Sequence, residues 1–275
     1  MESFVTTFDT VVDDALFWLS DHAAFIFDGI RLVLEGLYHA VLWLLMLPPF
    51  WAVAAVAGLI GWSALGWGFG IGGAVALLAC AAMGLWPETM QTLALVVAAS
   101  VIALAISIPL GVLAGLMPRL DRALTPALDL IQTLPPYIYL LPAIALLGFG
   151  PATALVATVI VAMPPAMRLT ALGIRQTPNE FLELGQAVGA SRAQMFWKIR
   201  LPFAIPSIMA GINQSLMMAF GMVVIAGIVG SGGLGETIYG AIRTLDIATS
   251  INASIAIVVL TMLLDRLTQA AARTK

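Results

Sequence analysis

Few residues in this chain could do chemistry, and most of them sit within apolar runs. Asp129, Gln132 and Thr133 precede Pro135–Pro136, with Tyr137 and Tyr139 just beyond. Asn213, Gln214 and Ser215 fall early in another apolar run. Polar groups in hydrocarbon are costly and often functional. Prolines free carbonyls that are tolerated only inside protein or beside a cavity. Gln132, Tyr137, Tyr139, Asn213 and Gln214 are therefore candidates to line a pathway. The competing reading is packing, with Asn and Gln bonded to neighbouring helices and Asp129 paired with Arg122.

Other chemistry is excluded. No G-x-x-x-x-G-K-[ST] phosphate loop occurs, so the chain does not hydrolyse ATP by that route. Gly230-x-Gly232-x-x-Gly235 matches a dinucleotide fingerprint in form only. It follows an apolar span rather than a strand, and reads as a tight external turn where glycine permits unusual backbone angles. His22 and His39 stand alone, so no metal constellation exists. Cys80 has no cysteine to pair with.

The longest polar insert, 175–202, reads RQTPNEFLELGQAVGASRAQMFWKIRLP. Thr177 reads as a helix N-cap, with Pro178 in the first helical position and Glu180 closing a capping box. That helix runs to about Val188, and Gly189 stops it. Ser191 caps a second helix, with Gln194 completing another capping box, and this helix ends before Pro202. The unit is too small to hold a core. It exposes Phe181, Leu182, Leu184, Met195, Phe196 and Trp197. Either they rest on the floor of the membrane domain or they dock on a partner protein.

The elements that must position these residues follow from composition. The chain has 275 residues, 61% hydrophobic and 10% charged, against roughly 25% charged in soluble domains. That excludes a soluble enzyme, a disordered chain and a nucleic-acid binder, and long unbroken apolar runs exclude a barrel. An all-α polytopic membrane protein remains. A crossing needs about 20 apolar residues, and seven stretches qualify: roughly 50–66, 70–86, 89–117, 125–147, 151–172, 202–229 and 246–264. Ten of the 12 basic residues (Arg119, Arg122, Arg168, Arg175, Arg192, Lys198, Arg200, Arg266, Arg273 and Lys275) then share one side. The positive-inside rule makes that side cytoplasmic, which places the C-terminus inside and the N-terminus outside. Residues 1–47 carry seven acids and one base and lack the basic start of a signal peptide. Asp14, Asp21, Asp28 and Glu35 recur every seven residues, a charged stripe that suits an element lying in the interface. Alternatively, 29–47 spans as an eighth helix and the N-terminus is inside. The expected organisation is an interfacial segment at 1–47, two accessory helices at 48–87 and a core at 88–270 carrying the insert 175–201.

The insert also carries a resemblance. Glu183–Leu184–Gly185–x3–Gly189–x9–Ile199–x–Leu201–Pro202 is similar to the cytoplasmic EAA loop of ABC importer permeases, E-A-A-x3-G-x9-I-x-L-P. Leu184 and Gly185 replace its two alanines, while Ala187 and Ala190 keep the nearby surface small. The runs 208–236 and 263–270 resemble the glycine betaine/proline betaine/choline branch of that family. The resemblance implies a five-helix permease core in a bacterial cytoplasmic membrane, paired with a second copy and two ATPase subunits. It implies a separate periplasmic or lipid-anchored binding protein, and ATP and Mg bound on the partner rather than on this chain. It implies that Glu183, Leu184, Gly185, Ala187, Gly189, Ala190 and Ser191 form the ATPase-coupling surface, with Glu183 making a charged contact and Gly189 the turn. A quaternary ammonium could rest on Tyr137, Tyr139 or Phe149. The alternatives are the same machine for another small solute, or an ion-coupled secondary transporter.

Overall fold

The computed structural model describes residues 10, 11, 14, 18, 19 and 22–273, the last two by backbone only. Asp9, Asp13, Asp21 and Lys275, read above from sequence, lie outside the described residues. Everything described is helix or turn. The helices are α1 (Ala24–Met46), α2 (Phe50–Leu65), α3 (Trp67–Ala82), α4 (Trp86–Leu116), α5 (Pro118–Thr133), α6 (Leu140–Leu147), α7 (Pro151–Arg175), α8 (Asn179–Ala187), α9 (Arg192–Met195), α10 (Leu201–Ala226), α11 (Gly233–Thr244) and α12 (Ile247–Arg273).

The core is the packing of α7 against α4 on one side and α10 on the other. Small residues allow it. Ala98, Ala99, Ala103, Ala154, Ala157, Ala162, Ala219 and Ala226 are all buried. A Cβ on Gly111 would lie 2.6 Å from the Met167 carbonyl oxygen, and one on Gly115 would lie 2.7 Å from Ile174 Cβ. Backbones this close are how helices associate in lipid, where hydrophobicity supplies little drive. The proline pair Pro164–Pro165 removes two N–H donors from α7, yet the helix runs through it. Serines from both neighbours donate to carbonyls of that turn: Ser107 Oγ to Met163 at 3.1 Å and Ser215 Oγ to Ala162 at 2.7 Å.

Among the described residues, five helices are long and apolar enough to cross a membrane, and six spans result when a bent pair counts as one. The stretch 125–147, expected as one span, is broken within its length rather than continuous. The chain turns by 108° between α5 and the stretch 136–147. Pro135 has no N–H for the Ile131 carbonyl, and Tyr139 Oη donates to that oxygen instead at 2.8 Å. The helices α2 and α3 form a close hairpin about Gly66, each 16 residues long, or about 24 Å at 1.5 Å per residue. The seven crossings expected above require both of them and the bent pair to cross and α1 not to.

α1 is long and apolar enough to cross; Phe27 and Ile30 share a cavity with Tyr139 and Ile160, and further along it touches the Gly150/Gly230 end of the bundle. A Cβ on Gly148 would meet Arg31 Nη1 at 3.5 Å, and one on Gly232 would meet the Tyr38 hydroxyl at 3.8 Å. Those two turns are joined by the Gly150 N–H bond to the Val229 carbonyl. Asp246 closes the far side of this end as the cap of α12. Bonds from the Thr249 N–H and hydroxyl hold its exposed carboxyl below the usual carboxylate range.

Candidate functional site

The insert is built as two helices around a glycine. α7 runs to Arg175, three residues beyond its expected end, and its Ile174 carbonyl accepts from both Thr177 Oγ1 (3.1 Å) and Arg200 Nη1 (3.3 Å). Thr177 therefore closes α7. It does not cap α8, and the capping box expected with Glu180 is not formed. Pro178 holds the N-cap position with extended backbone and no side-chain bond. The reason is competition: Thr177 is buried beneath α7, where an unpaired carbonyl already awaits its hydroxyl.

The other end matches the sequence reading. Gly189 takes φ +72°; its N–H bonds the Gln186 carbonyl and the Ala190 N–H bonds that of Gly185. This is the Schellman arrangement, which satisfies two orphan carbonyls of α8. Ser191 and Gln194 form the expected capping box in full. The expected end before Pro202 does not occur. Residues 192–229 form one continuous helix of 38 residues. A π turn over Phe196–Arg200 precedes Pro202. The wider turn changes the bonding register where the proline would leave an i−4 carbonyl unpaired.

α8 lies on this rod. Gly185 is buried against it; a Cβ there would come within 2.7 Å of Ile199 Cδ1 and 2.8 Å of Met195 Cε. The Phe181 ring meets Phe203 at 4.8 Å. The opposite face of α8 is free: Glu180, Glu183, Leu184, Ala187 and Val188 are all exposed at helical spacing. Trp197 and Leu184 stay 64% and 60% exposed. Ala190 and Gly189 continue this face into the turn. A cavity of about 490 Å³ lies between the insert and the end of α4, lined by Leu116, Gln186, Ala190, Arg192, Met195, Phe196 and Arg200. A rigid two-helix projection with an apolar stripe and one acidic edge can be gripped by a protein; nothing in it can activate a nucleophile.

The five pathway candidates are dispersed. Gln132 and Tyr137 are exposed on either side of the Pro135–Pro136 break, and Tyr139 serves the freed Ile131 carbonyl. Asn213 joins α10 to α12: its Nδ2 donates to Asp265 Oδ1 at 3.1 Å and its Oδ1 accepts from Thr268 Oγ1. Gln214, beside it, is exposed. Asp129 pairs with Arg168 rather than Arg122, and Asp121 pairs with Arg175. The glycine turn is as tight as expected, with positive φ at Gly230, Gly232 and Gly233. Sequence reading missed what holds it: Gln91 Oε1 accepts from the Gly233 N–H and Thr92 Oγ1 from the Leu234 N–H, at 2.7 and 2.8 Å. A separation of 142 residues leaves no local signal for these bonds.

Comparison with known proteins now places the chain. Residues 107–274 match the model of the binding-protein-dependent transport system inner membrane component. The chain is 40% identical over 265 residues to the glycine betaine/proline betaine transport system permease protein ProW of Escherichia coli, covering 96% of this chain and 75% of that one. It is 37% identical over 259 residues to the glycine betaine transport system permease protein OpuAB of Bacillus subtilis, covering 94% and 92%. Among solved structures, an inward-facing MetNI methionine ABC transporter shares the fold with TM-score 0.60 and 23% identity, over 66% of this chain and 92% of that one. The match spans α12, α10, the insert and the end of α4 together, and the chain belongs to the family of binding-protein-dependent transport system inner membrane components, the permease subunits of ABC transporters.

Proposed function

We propose that this permease imports small quaternary-amine solutes of the glycine betaine and proline betaine type, and that α8, Gly189 and α9 couple it to ATP hydrolysis on partner subunits. The observation that carries the coupling is the insert itself: a capped, rigid projection whose outer face, from Glu180 to Val188, is exposed at one helical stripe. Such a unit transmits a push from a partner without collapsing. The names of the similar permeases support the solute class. In this reading Glu183 makes a charged contact on the ATPase, and Leu184, Gly185, Ala187, Gly189, Ala190 and Ser191 shape the seat. ATP and Mg reside on the partner.

The assembly is two copies of this chain, two ATPase subunits and a separate binding protein in a bacterial cytoplasmic membrane. The insert and the C-terminus face the cytoplasm, and the Gly148 and Gly230 turns face outward. α1 then lies across the outer face, tethered at Arg31 and Tyr38, which supports an interfacial segment and an external N-terminus.

The test is reconstitution of the chain with its ATPase and binding protein in liposomes. Glu183→Arg is expected to lower glycine betaine uptake at least tenfold while the protein stays at normal level in the membrane. Unchanged uptake would remove Glu183 from the coupling surface. Transport by this chain alone, driven by an ion gradient, would favour a secondary transporter instead.

A further inference from the structure

α5 is the least packed long element of the core. Of its 16 residues, Leu128 alone is buried. Between α5 and α7 runs a cavity of about 250 Å³, lined by Leu124, Leu128 and Met167 and by Asp121, Arg168 and Arg175 themselves. Charge links α5 to α7 specifically. Asp121 pairs with Arg175, and Asp129 pairs with Arg168. The two acids lie about two turns apart on α5, and the two arginines about two turns apart on α7. The helices run antiparallel, so the bridges form a pair of rungs. All four side chains keep between 31% and 55% exposure. Arg168 Nε is buried without a partner, so the guanidinium is held by Asp129 at one edge only.

The rungs sit between two mechanical features. Arg175 is the last residue of α7, three residues before the cap of α8. Four residues beyond Asp129 the chain enters its 108° break. α5 packs on its neighbours through a single stripe, Leu120, Leu124, Leu128 and Ile131, so the two ion pairs add a second, directional link to α7. We infer that the Asp121–Arg175 and Asp129–Arg168 pairs are positioning residues that make α5 travel with α7, so that movement of α8 reaches the broken segment 134–147. The inference rests on the coupling reading above.

The experiment uses the assembled complex in liposomes and reads solute taken up per ATP hydrolysed. Asp121→Arg and Arg175→Asp are each expected to lower that ratio at least fivefold with ATP hydrolysis within twofold of the parent. The double exchange is expected to restore the ratio to within twofold. A merely structural pair would lower uptake and hydrolysis together and leave their ratio unchanged, which would overturn the inference, as would a double exchange no better than the singles. If the single variants fail to reach the membrane, Asp121→Cys with Arg175→Cys in a Cys80→Ser background gives the second reading. Cross-linking is expected to preserve uptake, and its abolition would show that α5 and α7 part during the cycle, against the inference. A parent complex that neither binds nor stimulates an ATPase would overturn the coupling reading itself.

Discussion

Glycine positions show how differently one substitution weighs in two settings. Gly185 sits where α8 rests on the rod, and a Cβ there would meet only the flexible ends of Ile199 and Met195. Those ends can shift, and alanine gains up to about 1 kcal/mol of helix propensity. A Cβ on Gly111 would meet the Met167 carbonyl oxygen and Thr170 Cβ at 2.6 and 2.7 Å, neither of which can yield. Overpacking of that kind costs about 1–3 kcal/mol. Gly185→Ala is therefore expected to leave the thermal midpoint in detergent near the parent value, and Gly111→Ala to lower it by several degrees. The reverse ranking would mean that α4 and α7 do not approach as described.

Among the elements, the broken segment repays scrutiny. Pro135–Pro136 announced a defect in the sequence, but not its angle, nor that Tyr139 would supply the missing donor. Tyr139→Phe removes the hydroxyl and strands the Ile131 carbonyl, a loss of about 1–3 kcal/mol. Tyr137→Phe, with its exposed hydroxyl, should be silent; equal effects on thermal midpoint and uptake would count against the assigned bond. The same contrast explains what was legible. Local punctuation is readable where the residue serves the turn it belongs to, as with Ser191, Gln194 and Gly189. Thr177 was misread because its partner belongs to the preceding helix, and Pro202 because a π turn absorbs it. The rungs between α5 and α7 were invisible, since 39 residues separate Asp129 from Arg168 and only the fold brings them together.

For the whole molecule, the proposed topology predicts which residues face each side of the membrane. In a Cys80→Ser background, Val188→Cys is expected to react with a membrane-impermeant thiol reagent only from the cytoplasmic side, and Phe149→Cys only from outside. Both side chains are well exposed, at 74% and 68%. Labelling of both from one face would refute the proposed topology.

The continuity of residues 192–229 has a geometric corollary. At 1.5 Å per residue this rod is about 57 Å long, longer than the ~30 Å hydrocarbon layer it crosses. A stiff oar pivoting at the gunwale sends blade and handle opposite ways. In the proposed two-copy assembly, squeezing the two handles together below would spread the blades above, and one uninterrupted stick would do by leverage what a hinged one would have to relay.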